Sequence, residues 1–355
     1  MKVKTLYKIP LFFLFIISLL NFNKFTCIST SHYDLIKEPI YKYFDNEKNN
    51  FLIHKSNINL DTIINEPLLA EDLNFKYLFF QNWNSSLNIN FSTYNYDLHF
   101  IDFYINNDKV KVHLIRNLNC ILNNTDQFSS SNEEYIFFLE YQNNNWKIYD
   151  LAIKEENEDY FYTIKNNTSF RTLANYKWKE SFDNIDNILN EYLSLRTTHN
   201  SNRIESTTRK YDLDKTIDYA LKHALNYNNA YKNFDNNGGD CTNFVSQCLH
   251  AGGLPLSSAW KPYRDSWINV NLLRNYLIYN SLGIESSTID DDIIGSTIQF
   301  YNSELNRYSH SGIVTSKLSN GDYGYCAHSY DKLNYPLSLS FPVIYKKIRI
   351  IKIVY

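Results

Sequence analysis

Residues 238–253 read GGDCTNFVSQCLHAGG and place a cysteine where a helix should begin. Asp240 is a good N-cap type, Cys241, Phe244, Val245, Cys248 and Leu249 recur at i, i+3, i+4, i+7 and i+8, and Gly252 supplies a stop. A thiol in the first turn faces unpaired N–H groups and the positive end of the helix macrodipole. That setting stabilises a thiolate and can hold an oxyanion. The chemistry it favours is nucleophilic attack by sulfur.

Hydrolysis by a thiolate also needs a base for the thiol proton and a third group to orient that base. His310 opens a strand-like run, residues 310–315, that lies far enough along the chain to return against the helix tip, and Gly312 would permit a close backbone approach. The third group depends on hairpin register around Asn320-Gly321, a strong turn signal. An even loop centred there sets His310 opposite Asp331. An odd loop or a bulge brings His328 to the face of His310, one pair away. Both options stay open on these residues alone.

Other uses of the same residues fit less well. Cys248 falls on the apolar face and is expected to pack, and Cys120 is expected to be a buried apolar residue. A Cys241–Cys248 disulfide would have to bridge about two helical turns, roughly 10 Å, which is too far. Zinc on Cys241, Cys248, Cys326 and His328 would need a spacing unlike the usual finger patterns. No metal or other cofactor is expected.

The Gly238-to-Gly253 block, Trp267-x-Asn269-Val270, Ile298-Gln299-Phe300, the Ser309-to-Thr315 run (SHSGIVT) and Ala327-His328-Ser329 together resemble the putative amidase domain family of secreted bacterial proteins. The likeness covers about residues 211–337. It implies a papain-like fold near the NlpC-like and CHAP-like cell-wall peptidases, with Cys241 as nucleophile, His310 as base and His328 as orienter. Where relatives usually show Gly-Asp before the strand, this chain has Gly295-Ser296.

These residues must be positioned by a domain whose helices come first and strands after. Helical spacing marks residues 211–227, capped by Asp212 or Asp214, and residues 270–279; strand patterns mark 297–301, 310–316, 323–329 and 343–354. Upstream, short helical pieces across residues 31–77 give way to period-two runs at 100–105, 110–115 and 135–141, separated by Asn-rich turns. A meander of antiparallel strands is expected there, with a weak likeness to SnoaL-like or cystatin-like curved sheets. His99 and His113 fall in its strands and are expected to be structural. Residues 155–209 are polar, with one amphipathic helix through Ile185, Leu189, Tyr192 and Leu193. The fold class is α+β throughout. The expected domains are a signal peptide at 1–28, an N-terminal α+β domain at 29–155, a helical connector at 156–209 and a papain-like amidase domain at 210–355.

At 355 residues the chain has room for more than one domain, and a composition 44% hydrophobic provides a sizeable core. The formal charge of −3 gives no pull toward nucleic acid or anionic membrane, so neither partner is expected. Lys2, Lys4 and Lys8 precede an apolar run at residues 9–20, too short to span a bilayer comfortably, the pattern of a secretory leader with no membrane anchor left after cleavage. Cys27 lacks the small residues that would precede a lipidated cysteine. Few cysteines in a secreted chain mean that bridges do not hold the fold, and a free thiol there is more often reactive.

The expected function is a secreted or wall-associated cysteine hydrolase cleaving an amide in cell-wall peptide or another extracellular substrate by a Cys-His-polar triad. The alternative is a wall-associated binding protein whose papain-like domain is inactive and whose N-terminal sheet does the recognising.

Overall fold

The computed structural model describes residues 30–53, 59–122, 127–156, 158–167, 170, 176–196 and 211–355. The leader at 1–28, Cys27 and residues 197–209 of the connector lie outside the described residues. The elements are α1 (Thr30–Ile53), α2 (Pro67–Ser86), β1 (Phe91–Asn106), β2 (Lys109–Leu122), β3 (Phe128–Gln142), β4 (Asn145–Ile153), α3 (Glu158–Lys165), α4 (Trp178–Asp183) and α5 (Ile185–Leu195). They continue with α6 (Leu213–His223), α7 (Cys241–Ala251), α8 (Asp265–Ile268), α9 (Val270–Tyr279), β5 (Gly283–Ser286), β6 (Thr297–Asn302), β7 (Arg307–Lys317), β8 (Tyr323–Ala327), β9 (Lys332–Pro336) and β10 (Lys347–Ile353). This is a mixed helix and antiparallel-sheet architecture, as the α+β expectation has it.

Helix α6 starts on Asp212, whose side chain accepts from Lys215 N at 3.1 Å; of the two acids considered as its cap, the first makes the bond. Helix α9 spans the predicted residues 270–279 and is capped by Asn269, which accepts from Asn271 and Leu272. The N-terminal helices are longer than the short pieces expected. Both face a sheet rich in aromatic rings, and burial of Tyr43, Phe44, Phe79 and Trp83 supplies what weak periodicity did not.

One ten-stranded sheet runs through both halves of the chain, in the order β1-β2-β3-β9-β8-β7-β6-β10-β5, with β4 also on β3. The join is on β3. Its C-terminal half pairs with β4, while Ser130 and Ser131 near its start pair with Leu333 and Lys332 of β9. Small serines suit this seam: Ser129 Oγ donates to Asn334 O at 2.6 Å and Ser130 Oγ to Leu118 O at 2.8 Å. The core is shared as well, since Phe79, Trp83 and Tyr94 cluster with Phe300, Tyr325 and Phe341, and Trp83 Nε1 donates to Ser338 O at 3.0 Å. The predicted helix α5 joins the same cluster, and Tyr192 OH donates to the buried Asp322 at 2.9 Å.

Buried charges cross the seam. Arg116 of β2 bonds Glu47 of α1 and Glu133 of β3, and Lys332 of β9 pairs with Glu155 at 3.0 Å and Glu133 at 3.6 Å. Burial alone would neutralise Glu133, but Arg116 and Lys332 hold its carboxyl well below the usual range. Removing one partner strands the others in a dry site. Arg116→Ala is expected to lower unfolding free energy by about 3–5 kcal/mol, seen as a lower urea midpoint with an unchanged slope. A midpoint equal to that of the parent would mean that the cluster contributes nothing to stability.

Candidate functional site

Helix α7 begins at Cys241, as its spacing predicts, but Asp240 does not cap it. The Asp240 carboxylate, 1% exposed, bonds side chains and a loop N–H in place of the helix backbone. Its Oδ1 accepts from Phe234 N and from Asn243 Nδ2, both at 2.9 Å, and its Oδ2 meets His328 Nδ1 at 2.7 Å. The Asp240 N–H in turn donates to Ser329 Oγ at 2.6 Å. With the cap residue engaged elsewhere, no side chain among the described residues bonds the first-turn N–H groups beside the thiol, where the positive end of the helix lies.

Gly238 and Gly239 lead into this turn with φ of +91° and +94°. At Gly239 a side chain would be strained by that φ and would meet Ser329 Oγ at 3.3 Å. The tight approach lets the loop before α7 lie against the residues after β8.

His328 sits inside this lattice. Its Nε2 meets His223 O at 2.8 Å while Nδ1 faces Asp240, and its ring is stacked between Tyr227 (3.7 Å) and Phe244 (4.1 Å). Both ring nitrogens are thus taken up by these two contacts. Neither is free for His310.

The hairpin explains the placement. Its loop, between the Lys317–Tyr323 and Ser316–Gly324 pairs and the opposite end, is odd-numbered, and a bulge at Thr315 then shifts the ladder so that Val314 pairs with Tyr325 and Ile313 with Cys326. The two irregularities act together, a case neither sequence option covered. Extended by two residues, this register sets His328 beside Ser311. Gly312 allows the close approach expected of it: a Cβ there would lie 2.6 Å from Cys326 O. Asp331, the other sequence candidate, accepts from Tyr227 OH at 2.7 Å and Asn132 Nδ2 at 3.1 Å.

Cys241 lies against the start of β7. Its Sγ is 3.9 Å from Ser309 O and 3.8 Å from Thr242 Oγ1, and Thr242 Oγ1 lies 3.2 Å from Ser311 Oγ. His310 pairs with Phe300, and its ring stacks on Phe300 (5.5 Å) and Tyr345 (5.9 Å), with Tyr330 at 4.9 Å. Alternation along β7 thus gives Ser311 to the α7 face and His310 to the face of Phe300. The thiol reaches the backbone flanking His310, and no hydrogen bond joins Sγ to the imidazole.

Both groups are buried, Cys241 at 6% exposed and His310 at 2%. Burial pushes the thiol up, against weaker opposition from Thr242 and Ser311, and pushes His310 down to about 3, helped by Lys332. His310 Nε2 is buried with no hydrogen-bond partner. Such an orphan is costly in a core and is a common mark of a working site. Cys248, Cys120 and Cys326 are buried and free, with thiols pushed up by burial, which suits the packing reading of Cys248 and Cys120. Among the described residues no group of three His, Cys, Asp or Glu could hold a metal ion.

Sequence reasoning did not find the Asp240–His328 bond, the Ser311–Thr242 contact or Tyr330. Only the first left a trace, in the Asp directly before the cysteine.

Residues 210–353 match the family model of the putative amidase domain. Two curated proteins of Bacillus subtilis (strain 168) are similar. The uncharacterized protein YjcM is 29% identical over 209 residues, 56% of this chain and 48% of its own length. The uncharacterized protein YhbB is 32% identical over 121 residues, 30% of this chain and 38% of its own. The chain thus matches about half or less of the length of these curated relatives. The family match supports an amidase domain in this part of the chain, coarsely a hydrolase acting on amides.

A buried neutral imidazole has a consequence for stability. His310 takes up its proton more readily unfolded, at an ordinary value of 6.5, than folded, at about 3, so folding is progressively penalised as pH falls from 6.5 toward 3. Between pH 6.5 and 4.5, above the range where most carboxylates titrate, the chain is expected to lose up to about 1.4 kcal/mol per pH unit through this group. Urea unfolding of His310→Leu alongside the parent should show that part of the slope removed; parallel curves would mean that the ring is solvated.

Proposed function

We propose that this chain is a secreted cysteine hydrolase that cleaves an amide bond in cell-wall peptide or another extracellular peptide. The observation that carries this reading is a thiol at the uncapped start of a buried helix, within a region matching an amidase family, beside a strand bearing an imidazole with an unpartnered nitrogen. Cys241 is the nucleophile and His310 the base. His328 acts through Asp240 and holds the turn that aims the thiol. The papain-like placement rests on the sequence resemblance, to which the helix-then-sheet order conforms.

In this mechanism His310 takes the Cys241 proton and the thiolate adds to the substrate carbonyl. The resulting oxyanion lies at the first-turn N–H groups of α7, with the Cys241 N–H first among them. His310 returns the proton to the departing amine, and water then cleaves the thioester. The resting pair is neutral on both sides and is not hydrogen-bonded. The thiol faces the Ser309 carbonyl and the ring faces Phe300, so the proton transfer requires the two side chains to turn toward each other when substrate binds.

That same neutrality favours the second reading, an inactive domain that binds peptide or wall material. Two measurements separate them. Cys241→Ala is expected to abolish release of fragments from purified peptidoglycan or from a peptide library, while circular dichroism and melting stay unchanged; persistent hydrolysis removes Cys241 from the mechanism. Iodoacetamide at neutral pH is expected to label Cys241 first among the four described cysteines once substrate peptide is present. Uniformly slow labelling with no turnover supports the binding protein. His328→Asn is expected to slow turnover by about tenfold or more through misplacement of the thiol, lowering kcat more than it changes KM.

A further inference from the structure

A cavity of about 550 Å³ lies at the seam between the N-terminal sheet and the amidase domain. Its volume falls in the range of small-ligand sites. The amidase side contributes Asp235, Asn236, Ser329, Tyr330 and Asp331; the other side is built from β1 to β4, the turn after β4 and the end of α3. It adjoins the proposed catalytic groups on both flanks. Ser329 accepts from the Asp240 N–H directly before Cys241, and the Tyr330 ring is 4.9 Å from that of His310.

The charge on its wall is one-sided. Six carboxylates line it, against two lysines and His113. Glu134 is answered by Lys154, Lys165 and His113, and Glu133 and Glu155 by the buried cations behind them. Asp102, Asp235 and Asp331 have no ion-pair partner among the described residues. They accept only from neutral donors, such as Ser329 Oγ on Asp235 at 3.1 Å and Tyr227 OH on Asp331 at 2.7 Å. Glu155, 9% exposed and also on the wall, bonds Lys332 through Oε2, and the Tyr345 hydroxyl interacts with the same carboxylate.

We infer that this cavity is a substrate subsite for the ammonium group of a peptide, an α-amine or a lysine-type side-chain amine close to the scissile amide. An ammonium brings three donors and a positive charge, matching the carboxylates of Asp102, Asp235 and Asp331 on the cavity wall. A metal ion fits less well, because no three ligating side chains converge among the described residues. The subsite draws on both halves of the chain, which gives the N-terminal sheet a part in recognition. It rests on the hydrolase reading for its meaning, yet its occupancy can be measured without turnover.

The test uses the full chain with Cys241→Ala and isothermal titration with the tripeptide Ala-Lys-Ala, its Nα-acetyl form, its Nε-acetyl form and the doubly acetylated form. The free peptide is expected to bind, and at least one acetylation to weaken it by about tenfold, the worth of a charge-assisted hydrogen bond. Asp235→Asn in the same background should weaken the free peptide by a similar factor and leave the doubly acetylated one unchanged, and binding should fall as salt is raised. Equal affinity for free and doubly acetylated peptides overturns the inference, as does no binding of any of the four. Selective binding without cleavage by the parent protein would uphold the subsite and count against the hydrolase.

Discussion

The Asp240 carboxylate is the constraint on which the geometry around the thiol depends. It is almost completely removed from water, so every lone pair must be answered inside the protein. Three elements do so: the loop at Phe234, the first turn of α7 through Asn243, and His328 beyond β8. The Ser329 hydroxyl meets the backbone of the same residue. A charged node with this many directional bonds has few alternative arrangements, and the turn before Cys241 is held to one. The cost falls on the helix itself. An N-capping Asp typically contributes about 1 kcal/mol, and α7 forgoes it. Asn243, Phe244 and the buried apolar face keep the helix in place without the cap.

How far this was legible differs from residue to residue. The helix at Cys241, its apolar face, helix α9 and the strands around His310 follow from periodicity and turn chemistry, which are local. The cap on α7 did not follow, although Asp240 is of the right type, because a residue type states what a side chain is able to bond and not which of several partners it takes. His328 supplied a competing partner from 88 residues away. Register failed for a similar reason. An odd loop and a bulge at Thr315 each shift the ladder by one, and only their sum sets His328 across from Ser311 and not His310. His310 falls opposite Phe300 in the β6–β7 pair, while its neighbour Ser311 lies under the helix.

The joining of the two halves was the least legible feature. Nothing in the composition of residues 128–142 announces that one strand will pair with β2 on one edge and with both β4 and β9 on the other. Long-range pairing of this kind is decided by which exposed edges remain after the local hairpins form. Small serines at the crossing point permit it without specifying it. The short strands β5 and β9 escaped notice because four or five residues carry too little alternation to stand out.

The buried charges at the seam bear on function as well as on stability. Lys332 pairs with Glu155 and Glu133, and it also lowers His310, so one ammonium ties the junction of the halves to the imidazole of the proposed site. A positive charge behind a histidine favours its neutral form, the form a base must have before it accepts a proton. Burial acts in the same direction and more strongly. Together they hold His310 ready to accept but reluctant to keep a proton, which for hydrolysis demands that the protonated ring be stabilised only while substrate is present. Carboxylates are the natural source of that stabilisation. Glu155 is nearby in the same charge network, and Tyr330 shields the ring from solvent; a bound peptide that displaced water from the seam would strengthen the attraction between carboxylate and imidazolium. On this view the N-terminal sheet does more than sit beside an amidase domain. By contributing Glu133, and through the turn after β4 Glu155, it sets the charge around Lys332 and so the field at the proposed base.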